Sequence, residues 1–151
     1  MTSIDTEAII DQLFKAVGGR VRTFPDPYFL GLRVDPADLP DLLRYLHDQM
    51  GMNYLANLTA ADLQAEFEAS YHLYAIPDNG LKIVVKTRVP RDGAELPSVF
   101  AIYPTADWQE REVFDLMGIR FSDHPNLIRV LLPEEFEGHP LRKDFKKKGA
   151  I

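Results

Sequence analysis

Two runs of alternating side chains, joined by a short turn, are the strongest structural signal in the chain. One set of alternate positions in each run is almost entirely apolar: Phe67, Ala69, Tyr71, Leu73 and Ala75 in the first, and Leu81, Ile83, Val85, Thr87 and Val89 in the second. The intervening residues 77–80, Pro-Asp-Asn-Gly, favour a turn. A two-residue period belongs to a strand with one buried face, so the runs predict an antiparallel hairpin that needs a covering layer.

Helical periodicity supplies that layer. Apolar residues share one arc over residues 3–17, and Gly18 marks the end of this first predicted helix. A second predicted helix starts with an N-cap and proline pair at residues 35–36 and ends at Gly51. Pro40 is unfavourable in a helix interior, so the start of this helix could move by one turn.

The remaining signals complete a fold class. Shorter strands are predicted over residues 28–34 and 52–58, and a loop over residues 91–97. The simplest packing is an α+β two-layer domain with helices on a mainly antiparallel sheet. We expect this domain to span residues 1–121 and an extended C-terminal docking segment to span residues 122–151.

A third predicted helix, residues 106–117 ending at Gly118, carries a carboxylate on its apolar side. Its apolar arc consists of Ala106, Val113, Phe114 and Met117. Glu110 falls in the middle of that arc, where a carboxylate is costly unless a cation or several donors meet it. We expect Glu110 to be buried against Arg129 or Arg142; the alternative is a half-exposed Glu110 at the helix edge.

The opposite side of the same helix carries an isolated tryptophan. Trp108 is grouped there with Arg111, Glu112 and Asp115. Tryptophan and arginine are enriched at interface anchors, so this side could be covered by the C-terminal segment or by another protein chain. The alternative is a partly exposed tryptophan beside surface ion pairs of Arg111 with Asp107 and with Asp115.

Composition excludes several classes of function. The chain has no cysteine, which excludes disulfides, thiolate metal sites and iron–sulfur ligation through cysteine, and it has no glycine-rich phosphate loop. A net charge of −6 opposes nucleic-acid binding. No apolar run approaches the ~20 residues needed to cross a bilayer, so we expect any membrane association to be indirect.

Four side chains could be interpreted as an acid/base or metal cluster, but their spacing argues against it. Glu110 and Glu112 are two residues apart on a helix and face different ways, away from a common substrate. His124 precedes a proline in irregular chain and does not form a helical pair of histidine ligands with any neighbour. With Asp115 as the fourth candidate, we expect no cofactor and no metal.

The C-terminal segment lacks a helical or strand period of its own. It nevertheless contains spaced apolar residues suited to anchoring on a surface: Leu131, Leu132, Phe136, Leu141 and Phe145. Burial of several such side chains can offset the entropy of ordering an extended chain. We therefore expect this segment to lie against another surface.

An ordered set of motifs in the C-terminal half resembles a known family. Residues 106–121 read ADWQEREVFDLMGIRF, His124 and Arg129 follow, and residues 137–145 read EGHPLRKDF. This series closely resembles the signature of the 30 kDa subunit of respiratory complex I, known in bacteria as the C subunit of NADH:quinone oxidoreductase. One departure is Lys146, at a position where family members commonly have proline.

The resemblance implies a cofactor-free subunit in the peripheral arm of a proton-translocating enzyme. It implies partners that form the quinone site and hold the terminal iron–sulfur cluster, and a location at the cytoplasmic face of the inner membrane. The positions matched to the family, read as structural and docking residues and not as catalysts, are Glu110, Arg111, Glu112, Asp115, Gly118, His124, Pro125, Arg129, Pro140, Leu141, Arg142, Lys143 and Asp144. Trp108 joins them as a docking residue.

Two alternatives stay open at this point. The same resemblance extends to the equivalent subunits of ferredoxin-, deazaflavin- or hydrogenase-linked complexes. A free-standing hydrolase or lyase using Glu110, Glu112 or His124 is the other alternative. Co-purification in a large complex would distinguish a subunit from an enzyme that turns over alone.

Overall fold

The computed structural model describes residues 6–146, and the predicted hairpin forms the centre of its main sheet. Strands β4 (Glu66–Tyr74) and β5 (Lys82–Pro90) are antiparallel, with Phe67 opposite Val89. The alternate positions identified from the sequence line or border the core. The prediction is confirmed both in strand pairing and in the face that is buried.

Three further strands complete a five-stranded sheet in the order β1-β2-β5-β4-β3. Strand β3 (Tyr54–Asp62) is antiparallel to β4, and it is longer than predicted. Strand β2 (Leu30–Val34) runs parallel to β5, and β1 (Val21–Phe24) is antiparallel to β2. Strand β1 was missed because four residues with a single fully buried side chain are too few to show a period.

Strand β2 begins two residues later than predicted. The carboxylate of Asp26 accepts the backbone N–H groups of Tyr28 and Phe29, both at 2.9 Å. An aspartate that binds the amides ahead of it forms a local turn in place of a strand ladder. The turn therefore removes Tyr28 and Phe29 from the strand.

Three helices cover one face of the sheet. They are α1 (Thr6–Val17), α2 (Leu39–Met50) and α3 (Ala106–Met117). The predicted start of α1 at residue 3 lies outside the described residues. Within residues 6–146, no helix is long and apolar enough to cross a membrane.

Helix α2 begins later than the first capping signal suggested. Residues Pro36–Asp38 form a single 3-10 turn, and the α-helix follows from Leu39. Pro40 thereby occupies the first turn, where its missing N–H has no partner to lose. Gly51 ends the helix as predicted, with a left-handed φ of 69° and its N–H bonded to the Leu46 carbonyl.

A second, smaller sheet lies in the segment that was predicted as a loop. Strand β6 (Glu95–Pro97) pairs in parallel with β7 (Arg120–Ser122), with fully buried Leu96 opposite buried Phe121. The loop prediction over residues 91–97 is wrong in this part. A three-residue strand has no readable period, and its partner lies on the far side of α3 in the sequence.

Tyr103 connects the segment before α3 to the start of β3. Its side chain is 1% exposed, and its hydroxyl donates to the Met52 carbonyl at 2.7 Å. Burial raises the pKa of this phenol above its usual value. The contact therefore depends on a neutral hydroxyl.

Tyr103→Phe should lower the free energy of unfolding by ~1–3 kcal/mol, because the buried Met52 carbonyl loses its side-chain donor. The matched control is Tyr28→Phe, since Tyr28 is 81% exposed and should change stability by less than ~0.5 kcal/mol. Urea denaturation of both variants checks this. Equal effects would contradict the role assigned to Tyr103.

Candidate functional site

Helix α3 places Glu110 inside the protein, as predicted, but not against an arginine. The Glu110 side chain is fully buried. It accepts a hydrogen bond from the Ser98 hydroxyl at 2.6 Å and from the Val99 N–H at 2.8 Å. The expected partners are wrong, because Arg129 binds Asp115 and Arg142 donates to the Met117 carbonyl.

His124 lies beside Glu110 in a neutral form. Its Nδ1 accepts the Asn126 backbone N–H at 2.9 Å. A backbone amide can only donate, so the ring proton is on Nε2, which lies 3.1 Å from both the carbonyl oxygen and Oδ1 of Asp107. Nε2 is also 4.0 Å from Glu110, so the structure brings together Glu110 and His124, which the spacing argument had kept apart.

Burial dominates the electrostatics of Glu110. Desolvation raises its pKa from 4.5 to about 7, the hydrogen bonds from Ser98 and Val99 oppose the rise, and the charge of Asp107 adds to it. The hydroxyl of Tyr71 is also near enough for the Glu110 charge, after burial itself, to raise the pKa of that phenol. Among these neighbours no side chain is a permanent cation.

Asp115 is the residue that holds the C-terminal segment. It is fully buried beneath residues 129–132, as expected if the C-terminal segment covers this part of α3, and the alternative of a surface ion pair with Arg111 is wrong. Its carboxylate accepts Nη1 of Arg129 at 2.7 Å and three consecutive backbone N–H groups. Those amides belong to Val130 at 3.1 Å, Leu131 at 2.8 Å and Leu132 at 3.0 Å.

The surroundings of Asp115 favour its ionised form. Burial alone would raise the pKa of Asp115, but Arg129 and the three amides hold it below its usual value. Arg129 also donates to the Asp115 carbonyl at 2.9 Å and to the Gly138 carbonyl at 2.8 Å. One ion pair therefore joins α3 to two separate parts of the C-terminal segment.

A second carboxylate, Asp62, holds the same segment near its end. Asp62 accepts two N–H groups of Arg91, both at 2.9 Å, and the Lys143 backbone N–H at 2.8 Å. Arg91 also reaches Asp144 at 3.0 Å. Asp62 was not predicted as a site residue, because β3 was predicted to stop at residue 58.

Gly118 lets the C-terminal segment cross the end of α3. Its φ is +75°, and a Cβ there would lie 2.6 Å from both Arg142 Nη2 and His139 Cδ2. The Leu141 N–H bonds to the Leu116 carbonyl at 2.9 Å. Pro140, between His139 and Leu141, is half-buried at this crossing, whereas the other matched proline, Pro125, is exposed.

Trp108 is uncovered but held in place. It is 51% exposed, its indole N–H donates to Glu112 at 2.9 Å, and the guanidinium of Arg111 lies 5.2 Å from its ring centroid. Arg111 also donates to the Ile128 carbonyl at 3.2 Å. The surface ion pairs suggested for Arg111 are wrong, because Arg111 is turned towards Trp108 and Ile128.

The anchoring residues of the C-terminal segment divide into two groups. Leu132, Phe136 and Phe145 are half-buried, whereas Leu131 and Leu141 are 56% and 58% exposed. The segment is therefore ordered mainly by polar contacts, and part of its apolar surface remains outward. We call the four exposed apolar side chains along α3 the docking face: Trp108, Ile128, Leu131 and Leu141.

Comparison with known proteins identifies the family. The family model described as "Respiratory-chain NADH dehydrogenase, 30 Kd subunit" matches residues 32–150. The chain belongs to this family. The match contains α3, both carboxylates that hold the C-terminal segment, and the docking face.

Relatives within the family are similar over most of the chain. The NADH-quinone oxidoreductase C subunit of Moorella thermoacetica is 47% identical over 116 residues, which cover 75% of this chain and 78% of the relative. The corresponding protein of Chlorobium phaeobacteroides is 40% identical over 124 residues, covering 80% of this chain and 74% of the relative.

Two solved structures share the fold of this 30 kDa family. A chain of the membrane-bound sulfane sulfur reductase, an archaeal respiratory membrane complex, has a TM-score of 0.81 and 29% identity, covering 93% of this chain and 85% of that one. The trypsin-resistant fragment (1-134) of Nqo5 has a TM-score of 0.66 and 26% identity, covering 81% and 98%. The predicted fold class is confirmed.

Glu110 should make the stability of this 30 kDa-family protein depend on pH. Its pKa is about 7 when folded against 4.5 for the ordinary group, so the native state keeps the proton that the unfolded state has released. The contribution of Glu110 to the free energy of unfolding should therefore fall by about 3 kcal/mol as pH rises from 4.5 through 7. Glu110→Gln should remove this dependence, and urea denaturation at pH 5 and pH 8 would measure it. A difference between variant and wild type that is the same at both pH values would contradict this titration.

Asp115→Asn should release the C-terminal segment while the sheet stays folded. The change leaves Arg129 without its anion and gives the amides of residues 130–132 a poorer acceptor, a loss of roughly 3–5 kcal/mol from that contact. Hydrogen exchange should accelerate across residues 129–145 and remain slow in β4 and β5. Glu112→Gln, on the outer side of the same helix, is the control. Unchanged protection of residues 129–145 in Asp115→Asn would show that other contacts hold the segment.

Proposed function

We propose that this chain is the 30 kDa-type subunit of a proton-translocating NADH:quinone oxidoreductase and lies in its peripheral arm. Membership of the family supports this, as does the similarity to the corresponding proteins of two bacteria. In this proposal the chain belongs to an enzyme complex, contributes no catalytic group, binds no cofactor, and reaches the membrane only through its partners at the cytoplasmic face.

A structural role is supported by the burial of the acid/base candidates. Glu110 and the side chain of His124 are both 0% exposed, so a dissolved substrate reaches neither group. Within residues 6–146, no three His, Cys, Asp or Glu side chains are grouped as metal ligands would be. The burial of Glu110 and His124 disfavours a free-standing hydrolase or lyase that uses either group.

The docking face is the observation that carries the proposal. Trp108 combines half exposure with a side chain fixed by Glu112 and Arg111, so little conformational entropy remains to be lost when a partner covers it. Pre-ordered, partly exposed aromatic residues are typical of interface anchors. We propose that this face contacts the subunits that form the quinone site and hold the terminal iron–sulfur cluster.

The domain organisation follows from the same contacts. We propose that residues up to 121 form the folded body and that residues from 122 onward are a docking segment fixed to it by Asp115 and Asp62. The segment within the described chain has no helix or strand beyond β7, which supports this division. Lys143 and Asp144 would then serve to secure its end, through the Lys143 amide and the Asp144 carboxylate.

A second assignment is supported by one specific observation. A chain of the membrane-bound sulfane sulfur reductase, an archaeal respiratory membrane complex, matches 93% of this protein with a TM-score of 0.81 and 29% identity. The equivalent subunit of a ferredoxin-, deazaflavin- or hydrogenase-linked complex is therefore the alternative. Assaying the purified complex with NADH and with reduced ferredoxin separates the two.

The single tryptophan of the sequence gives a direct test of docking. Trp108 emission should shift to shorter wavelength when the chain joins its complex, because the ring leaves water. Trp108→Ala should weaken assembly by about 2 kcal/mol or more, roughly 30-fold in Kd. Phe14→Ala on α1, where Phe14 is 42% exposed, is the control for losing an exposed aromatic ring. Assembly of Trp108→Ala at wild-type affinity would refute the proposal for this face.

A further inference from the structure

The face of the main sheet opposite the helices carries three cations side by side. Arg22 of β1 is directly opposite Arg33 of β2, and Arg33 is directly opposite Lys86 of β5. Their neighbours Val21, Leu32 and Val85 point into the core, so these three point away from it. Like charges at directly opposed positions are destabilising. Such a row needs anions to neutralise it.

One carboxylate neutralises most of the row. Glu68 of β4 accepts hydrogen bonds from Arg33 at 2.9 Å and from Arg88 at 2.8 Å, and its carboxylate lies 3.7 Å from the Lys86 ammonium. Within residues 6–146, Arg22 has no comparable contact: it reaches Asp35 at 3.9 Å, and these two side chains are 69% and 74% exposed. Arg22 is therefore the member of the row whose charge is least compensated.

The row is built on a rigid platform. The ring of Phe24 lies against Gly31, where a Cβ would be 2.7 Å from the ring. Arg33 and Lys86 both lie over that ring, at 5.4 Å and 5.1 Å from its centroid. Their positions are thus fixed before any partner arrives, which lowers the entropy cost of binding.

A cavity of about 430 Å³ opens beside the row. It is lined by Arg22, Arg33 and Arg88, with Asp35 and Glu66 also on its wall. Together with Lys86 and Glu68, this region has four cations and three carboxylates, a surplus of one positive charge. A surplus of one fits one carboxylate, whereas a phosphate backbone or an anionic bilayer would need a larger basic surface.

We infer that the cavity beside Arg22 binds a single Asp or Glu side chain from another subunit of the complex. This inference rests on the proposed function, and it adds a second docking surface on the side of the sheet away from α3. Because the whole chain has a net charge of −6, its attraction for an acidic side chain at this face depends on the local positive surplus.

Carbodiimide cross-linking of the assembled complex tests the inference. Arg22→Lys keeps the charge and supplies an amine that the reagent joins to a carboxylate in contact with it, with loss of water. Arg44→Lys, at an exposed position on α2, is the matched control. Lys86 beside Glu68 provides an internal check that the reagent reaches this face.

We expect mass spectrometry to find residue 22 of the Arg22→Lys variant joined to an Asp or Glu of another subunit, with no such product at residue 44. Arg22→Glu should also slow association several-fold and reduce its salt dependence, whereas Arg44→Glu should not. Cross-links from residue 22 only to its own Asp35 or Glu66, or none at all, would overturn the inference. If the wild-type chain is absent from the complex, the proposed function itself fails, which is a separate outcome.

Discussion

The buried carboxylate of Asp115 is the group on which the position of the C-terminal segment depends. It replaces a hydrophobic core for a segment that has none, by meeting one guanidinium and three consecutive amides. A buried charge is tolerated only when it is paired and hydrogen-bonded. Without this pairing, both Asp115 and Arg129 would carry the free-energy cost of an unpaired buried charge. The segment is therefore fixed against α3 although much of its apolar surface stays outward.

Asp62 applies the same principle at the other end of the segment, through the Lys143 amide and Arg91. Between these two points the chain passes over Gly118, where only a residue without a side chain leaves room for His139 and Arg142. Because polar contacts hold the segment down, Leu131 and Leu141 stay exposed, as Trp108 does, and this exposure supports the docking role proposed for them.

Glu110 is also a buried carboxylate, but unlike Asp115 it has no arginine partner among the described residues. Its donors, Ser98 and Val99, belong to the segment between β6 and α3, so the carboxylate ties that segment to the helix without an ion pair. His124 cannot supply the missing charge, since its Nδ1 accepts a backbone amide and its ring is neutral. Burial without a cation is why the proton of Glu110 is held near neutral pH, whereas Asp115, in the same helix, stays ionised.

The sequence alone determined the elements whose periods are long enough to read. The β4–β5 hairpin, the bounds of α3, the helix end at Gly51 and the burial of Glu110 follow from side-chain spacing and capping chemistry, which are local properties. The family was also readable, because its motifs lie in a fixed order along residues 106–145. Only the tertiary structure decided the short strands β1, β6 and β7 and the burial of Asp115. It also decided that Asp62 holds the end of the C-terminal segment, and that Arg129 pairs with Asp115 and not with Glu110. Each of these depends on which residues meet across 7 to 81 positions of sequence, and that is set by the packing of the whole chain and by no local pattern.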